Sequence, residues 1–131
     1  MKKLPKPTES ELSILRILWE HGPCGVRVVA GELSRERQKE VGYTTALKLL
    51  QLMHAKGLVE RDETERSHRY SAKHPPETMQ RHVVAEVADR IFGGSTTRLA
   101  MQALSSRQAS PDELTQLKQL IEELEQKKGK K

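Results

Sequence analysis

The stretch from Val41 to Asp62 reads VGYTTALKLLQLMHAKGLVERD and decides the fold. Its apolar side chains recur at helical spacing, which predicts one buried stripe made of Tyr43, Leu47, Leu50, Met53 and Leu58. Gly57 can adopt the left-handed conformation that closes helix ends, so we expect the helix to stop there. The pattern therefore predicts an amphipathic helix with its remaining faces exposed.

A second face of this helix carries small hydroxyls, one cation and one amide, and no acid. Such groups suit the major groove of DNA, which presents phosphates, base acceptors and thymine methyl groups. We expect Thr44, Thr45 and Lys48 to make the central contacts, and Gln51 to be able to pair with an adenine edge. Taken alone, the segment is equally consistent with an ordinary core helix that has a solvated face.

The start of the same helix is a further candidate for contact with the DNA backbone. Gly42 is expected to begin the helix at a point where a phosphate can approach free backbone amides. Tyr43 suits either core packing or a hydrogen bond to a phosphate, and the sequence leaves both roles open.

The residues before this stretch predict two more helices. Thr8 and Glu11 form a capping box, in which a hydroxyl and a carboxylate each satisfy a backbone amide, and Gly22 ends the helix that they open. The first helix has a wide apolar face made of Leu12, Leu15, Ile17, Leu18 and Trp19. A second helix is expected over residues 26–37, and its inward residues are expected to be Val28, Val29 and Leu33.

Two short runs after the third helix, 58–62 and 67–72, have the alternation that predicts paired strands. Three helices followed by a hairpin is the winged helix-turn-helix plan. In that plan the third helix enters the major groove, and the hairpin, or wing, lies along the neighbouring backbone or minor groove. The wing residues expected to touch the DNA backbone are Arg66, Ser67, His68 and Arg69. The alternative is a solvated turn with Glu63 and Glu65 as internal partners.

The second half of the chain is expected to form three helices. The first begins near Glu77 and is interrupted by the Gly93-Gly94 pair. Ser95 or Thr96 can cap the second helix, and Ser110 can cap the third.

Apolar stripes on these three helices are the expected dimer interface. A separate core within them would be small, so the simpler prediction is that each stripe packs against its copy in a second chain. The residues expected in this interface are Val83, Val87, Ile91, Leu99, Leu104, Leu114, Leu117, Ile121 and Leu124. The alternative is a monomeric helical subdomain that folds onto the winged helix.

Length and composition are compatible with this organisation. The 131 residues allow one compact domain and a smaller appendage, and 35% hydrophobic with only 3% aromatic residues makes a modest core. The net charge is +5, and residues 1–73 hold 14 basic and 10 acidic side chains. The expected fold is mainly α with a small β-wing. It comprises a winged-helix DNA-binding domain at 7–73, a helical dimerisation domain at 74–126 and a basic tail at 127–131.

Other classes of protein are disfavoured by the sequence. No apolar run is long enough to span a bilayer and the first residues lack a signal-peptide core, so we expect a cytoplasmic protein without membrane contact. The single cysteine, Cys24, excludes an internal disulfide and is expected to be a packing residue, with a redox sensor as the alternative. The histidines lack metal-ligand spacing and no catalytic motif is present. We therefore expect no metal, no cofactor and no enzymatic activity.

Three segments of the chain resemble the penicillinase-repressor family of BlaI, MecI and CopY. They are TESELSILRILW, YTTALKLLQLMHAKGLV and IFGGSTTRLAMQAL, and the resemblance extends from Pro7 to about Glu125. It implies a dimeric bacterial repressor whose winged helix binds one half of a palindromic operator and whose C-terminal helices hold two subunits together. The genes expected under its control are those for beta-lactamase, antibiotic response or stress. The alternatives are a winged-helix protein-interaction adaptor, or a regulator released by a metal or redox signal.

The resemblance also implies a mode of release. In relatives that control beta-lactamase genes, a membrane sensor protease system leads to cleavage of an Asn-Phe bond after the double glycine. Gln102 and Ala103 occupy that position in this chain, which departs from the family's pattern. Copper-responsive relatives carry Cys-x-Cys pairs near the C-terminus, and this chain has none.

Overall fold

The computed structural model describes residues 5–64 and 66–129, which form helices and short strands in two compact units. The elements of the first part, in chain order, are α1 (Glu9–His21), β1 (Cys24–Gly25), α2 (Val26–Arg37), α3 (Tyr43–Lys56), β2 (Val59–Asp62) and β3 (Arg69–Ala72). They are followed by α4 (Pro76–Ile91), α5 (Thr96–Ser106) and α6 (Pro111–Gly129). The first unit ends at Val83 and the second begins at Val84. None of the described helices is long and apolar enough to cross a membrane.

The start of α1 is closed by the predicted capping box. Thr8 Oγ1 accepts a hydrogen bond of 3.2 Å from the Glu11 amide, and Glu11 Oε1 accepts one of 2.8 Å from the Thr8 amide. The same Glu11 oxygen accepts a hydrogen bond of 2.7 Å from Lys56 Nζ, at the last residue of α3. One carboxylate therefore caps α1 and ties it to the end of α3.

The core of the first unit lies between α1, α2, α3 and the sheet. Its fully buried side chains include Ile14, Leu15, Val29, Leu33, Ala46, Leu50, Met53, Leu58, Tyr70 and Met79. The predicted stripe of α3 is confirmed at Leu50 and Met53. Ala46, one turn before Leu50, belongs to it as well.

Two residues expected in this core lie outside it. Tyr43 is 51% exposed, because the buried stripe of α3 begins one turn later at Ala46. Val28 is 44% exposed. The inward residues of α2 are Val26, Val29, Ala30 and Leu33, at spacings of three, four and seven from Val26, and Val28 lies off that stripe.

The sheet has three antiparallel strands in the order β1-β3-β2. The predicted hairpin of β2 and β3 is confirmed, with Arg61 opposite Tyr70 in the register. The two-residue strand β1 pairs with β3 on its other side and places Cys24 opposite Tyr70. Trp19 Nε1 donates a hydrogen bond of 3.1 Å to the His74 carbonyl, so α1 also holds the segment that leaves the sheet.

In the second unit, α4 ends and α5 and α6 begin at the residues that the sequence predicts as helix breakers and caps. Gly93 and Gly94 have φ of 59° and 86°, in the left-handed region that favours glycine, and they end α4. Ser95 Oγ caps α5 by accepting a hydrogen bond of 3.1 Å from the Arg98 amide. Ser110 and Glu113 form a second capping box at α6, with hydrogen bonds of 3.1 and 2.9 Å.

α5 ends at Ser106, whereas α6 continues past residue 126, the predicted end of the helical domain. α6 includes Lys127 and Lys128 of the basic tail, while Lys130 and Lys131 lie outside the described residues.

Candidate nucleic-acid interface

The turn before α3 is fixed by one serine of α2. Ser34 Oγ accepts a hydrogen bond of 2.9 Å from the Val41 amide and donates one of 2.8 Å to the Ala30 carbonyl. Val41 is buried and directly precedes the N-cap residue of α3. The hydrogen bond to its amide therefore fixes the position at which α3 begins. Gly42 is the N-cap residue, with extended backbone and no capping side chain, and the first turn of α3 contains no acid. The amide end of α3 is thus open to an anion.

The predicted DNA-contacting face of α3 is exposed along its length. Its residues are Thr44, Thr45, Lys48 and Gln51, and all of them are exposed, as are Gly42 and Tyr43 at the start of the helix. On the opposite side Ala46, Leu50 and Met53 are fully buried. The buried side fixes the rotation of α3, and the structure therefore presents these polar groups together on one surface.

Leu52 is a member of this face that the polar pattern misses. It lies seven residues after Thr45, which returns to the same side of a helix, and it is 49% exposed. Seven-residue spacing is the signal that could have identified it.

Arg27 of α2 is another residue beside this surface that the sequence did not single out as a site. Its Cζ atom lies 6.0 Å from the centroid of the Tyr43 ring, and the two residues line an open cleft together with Ala30. Tyr43 therefore lies outside the core. It packs beside a cation from the neighbouring helix. No sequence signal predicts this contact, because it joins two elements.

The wing holds its acidic residues in local contacts. Glu63 Oε2 accepts hydrogen bonds of 3.2 and 3.1 Å from Arg61 Nε and Nη2. Asp62 Oδ1 accepts hydrogen bonds of 3.0 and 2.8 Å from the amide and hydroxyl of Thr64, which hold the pKa of Asp62 below its usual value. Glu65 lies outside the described residues. Glu63 is thus an internal partner, as in the solvated-turn alternative, and its partner is Arg61.

The predicted contact residues of the wing follow this acidic part. Arg66, Ser67 and Arg69 are exposed and His68 is half-buried, with Arg69 as the first residue of β3. They lie on the returning half of the hairpin, where the side chains of Arg66, Ser67 and Arg69 are accessible and that of His68 is partly so.

Among residues 5–64 and 66–129, no group of three or more histidine, cysteine or acidic side chains could hold a metal ion. Cys24 is buried beside Tyr70, and burial raises the pKa of its thiol; Glu32 raises it further, against an opposing effect of Arg69. A neutral, buried thiol fits the expected packing role.

The second unit exposes apolar side chains on its helices. Five of the predicted interface residues are exposed, namely Ile91, Leu104, Leu114, Ile121 and Leu124. The other four are half-buried, namely Val83 at the end of the first unit and Val87, Leu99 and Leu117 in the second. Met101 and Leu120 are exposed too, although the sequence did not place them in the interface. Gln102 and Ala103 lie inside α5, both exposed.

Comparison with known proteins identifies the family. Residues 7–123 match the sequence profile of the family described as Penicillinase repressor. The chain belongs to the penicillinase repressor family. Within this family, a penicillinase repressor of Bacillus licheniformis is 23% identical over 130 residues, covering 98% of each chain. Membership makes this protein a DNA-binding transcriptional repressor and confirms the resemblance inferred from its motifs.

Solved structures of regulators show the same fold. The H. salinarum RosR structure aligns with a TM-score of 0.51 at 20% identity, covering 92% of this repressor and 96% of RosR. The hsRosR-SG complex aligns with a TM-score of 0.54 at 20% identity, covering 93% and 95%. The predicted fold, a winged helix-turn-helix with a small β-wing followed by helices, is confirmed.

Proposed function

We propose that this repressor acts as a homodimer that inserts α3 into the major groove of a palindromic operator. The observation that carries the proposal is the geometry of α3, which has one fully buried side and one exposed, acid-free polar side. Thr44, Thr45 and Lys48 are the proposed central contacts, and Gln51 is the proposed reader of an adenine edge.

Backbone contacts position the reading helix. The open amide end of α3 at Gly42 and the exposed Tyr43 are suited to a phosphate on one side of the groove. Arg66, Ser67, His68 and Arg69 of the wing are proposed to touch the backbone on the other side. Such contacts fix the register of the protein on the duplex but carry no sequence information.

Dimerisation is proposed to occur through the second unit. Its exposed apolar residues include Ile91, Leu114, Ile121 and Leu124, and a second copy of the same chain would remove them from water with two-fold symmetry. One winged helix makes few base contacts, so its discrimination is limited. Two winged helices at fixed spacing bind the second half-site at high effective concentration. Loss of the dimer would consequently release the operator.

Repression is proposed to arise by steric exclusion of the transcription machinery in the cytoplasm. The proposed target genes are those for beta-lactamase, antibiotic response or stress. The proposed mode of release is cleavage at Gln102-Ala103 by a sensor protease system, and both residues are exposed in α5. The alternative is a regulator that is released by a metal or redox signal.

Duplex binding tests the function directly. Selection of bound fragments from the source genome would yield the operator, and its affinity would then be measured over a range of salt concentrations. We expect affinity to fall steeply with added salt, and Lys48→Ala to reduce the slope of log K against log salt by about 1 for each winged helix. Lys73→Ala is the matched control, because Lys73 is exposed with its ammonium near Gly57, at the other end of α3. A protein-interaction adaptor would bind no duplex in this assay.

A further inference from the structure

We propose that Arg27 contacts a DNA phosphate and that Tyr43 positions its guanidinium for this contact. The inference rests on the function proposed above and adds a residue of α2 to the interface. At 6.0 Å from the ring centroid, Arg27 is within the range at which the negative face of an aromatic ring attracts a cation. The ring holds the guanidinium beside the start of α3 without neutralising its charge.

The other arginines of α2 are differently occupied. Arg35 Nη2 lies 3.4 Å from Glu32 Oε1, and Arg37 Nη2 donates a hydrogen bond of 2.7 Å to Ser10 Oγ. Within the described part of the chain, Arg27 forms no ion pair of this kind with a carboxylate. A guanidinium that lies over a ring keeps its N–H groups available for the two parallel hydrogen bonds that phosphate oxygens accept.

The position of the pair suits a phosphate that flanks the major groove. Tyr43 is the first residue of α3, directly before the proposed base-contacting Thr44 and Thr45, and Arg27 is the second residue of α2. Both side chains are exposed, and with Ala30 they line the cleft between the two helices. In helix-turn-helix proteins the helix before the reading helix crosses the DNA backbone. Arg27 is therefore placed where that backbone passes.

Binding to a short mixed-sequence DNA duplex tests the role of Arg27, because a phosphate contact does not depend on sequence. The full chain is titrated at several salt concentrations. We expect Arg27→Ala to weaken binding about tenfold and to lower the salt slope by about 1 for each winged helix. Arg27→Gln serves as a second neutral variant, and thermal unfolding verifies that both variants fold. Arg35→Ala is the matched control on α2 and should remain within about twofold of the parent chain.

Two substitutions of Tyr43 test its positioning role. Tyr43→Phe keeps the ring and loses only the hydroxyl, so it should weaken binding less than Tyr43→Leu, which removes the platform and should weaken binding about threefold. An Arg27→Ala variant that behaves like Arg35→Ala overturns the proposed contact. Equal losses in Tyr43→Phe and Tyr43→Leu overturn the positioning role and assign the effect to the hydroxyl. If the parent chain binds no duplex even at low salt, the proposed function itself is wrong, and this inference with it.

Discussion

Lys56 Nζ donates a hydrogen bond of 2.7 Å to Glu11 Oε1, the carboxylate that also caps α1. Glu11 is only 2% exposed, and its burial alone would raise its pKa. The hydrogen bonds from Lys56 and the Thr8 amide outweigh that effect and hold the pKa below the ordinary value of 4.5. The interaction joins the first and third helices, so its loss should affect the whole first unit.

Glu11 should make the stability of the protein depend on acid pH. Because its pKa is lower in the folded state, the stabilisation is fully present above pH 4.5 and is lost as the pH falls through the folded pKa. We expect Glu11→Gln to lower the free energy of unfolding by about 1–2 kcal/mol at neutral pH, with the difference shrinking in acid. Denaturant unfolding at several pH values measures this difference in the free energy of unfolding. The exposed Glu9→Gln is the control, and a difference that persists unchanged below the folded pKa would contradict the assignment.

Truncation of two neighbouring valines of α2 should change the free energy of unfolding by very different amounts. Val29 is fully buried, whereas Val28 is exposed. We expect Val29→Ala to lower the free energy of unfolding by about 1.5–3 kcal/mol, since it removes buried methyl groups and leaves a cavity. Val28→Ala should change it by less than about 0.5 kcal/mol. Thermal or denaturant unfolding compares the stabilities of the two variants. Equal losses would show that Val28 is a core residue.

Ile121 should control the oligomeric state. It is 54% exposed on α6, so its substitution disturbs few contacts within one chain. We expect Ile121→Lys to produce monomers and to lower operator affinity sharply, because the buried face of the proposed dimer would then contain an unpaired charge. Sedimentation equilibrium measures the mass. Gln119→Lys, an exposed position on the other side of α6, should leave the dimer intact, and a dimeric Ile121→Lys variant would refute the proposed interface.

A charged residue in place of Leu117 should affect both dimerisation and the packing of α5 against α6. Leu117 is half-buried and lines a groove between α5 and α6 with Ala103 and Leu104. We expect Leu117→Lys to abolish the dimer and also to loosen the packing of these two helices. Circular dichroism during thermal unfolding would detect the additional destabilisation, which Ile121→Lys should lack.

Gln51 should contribute to sequence discrimination more than to overall affinity. An amide paired with an adenine edge is worth about 1–3 kcal/mol against the wrong base. Gln51→Ala should therefore relax specificity at one position in each half-site while leaving the salt slope unchanged. Competition binding with single-base operator variants measures this preference. Unchanged discrimination at every position would remove Gln51 from the reading face.

Cys24 should be unreactive in the folded protein. Burial raises the pKa of its thiol, and the thiolate is the reactive form. We expect a thiol reagent to modify Cys24 much more slowly in the native protein than in denaturant. Cys24→Ala should bind the operator normally under both oxidising and reducing conditions. Fast native modification, coupled to loss of DNA binding, would favour the redox alternative.

Local features of the fold could be predicted from the sequence. The limits of α2 agree with the predicted 26–37, and the caps at Thr8, Ser95 and Ser110 depend on residues three positions away. Such signals act within one turn of chain, so they are readable without knowledge of the neighbouring elements.

Features that depend on contacts between elements could not be predicted in this way. Periodicity placed Tyr43 on the buried stripe but could not indicate that the core ends at Ala46. The strand β1 has only two residues and exists because Cys24 lies beside Tyr70 of β3. The contact of Arg27 with Tyr43 likewise joins two helices. The residues proposed to touch DNA stay predictions, since periodicity and exposure describe a surface and leave its ligand undetermined.

The hydrogen bond from Trp19 to the His74 carbonyl makes Trp19 an intrinsic fluorescence probe of the contact between α1 and the segment before α4. Trp19 is the only tryptophan of the chain, so all indole fluorescence comes from this one site. An event that pulls the start of α4 away from α1 would break that bond and admit water, shifting the emission to longer wavelength. Such a separation could thus be followed in the unlabelled protein in real time, without attaching a dye.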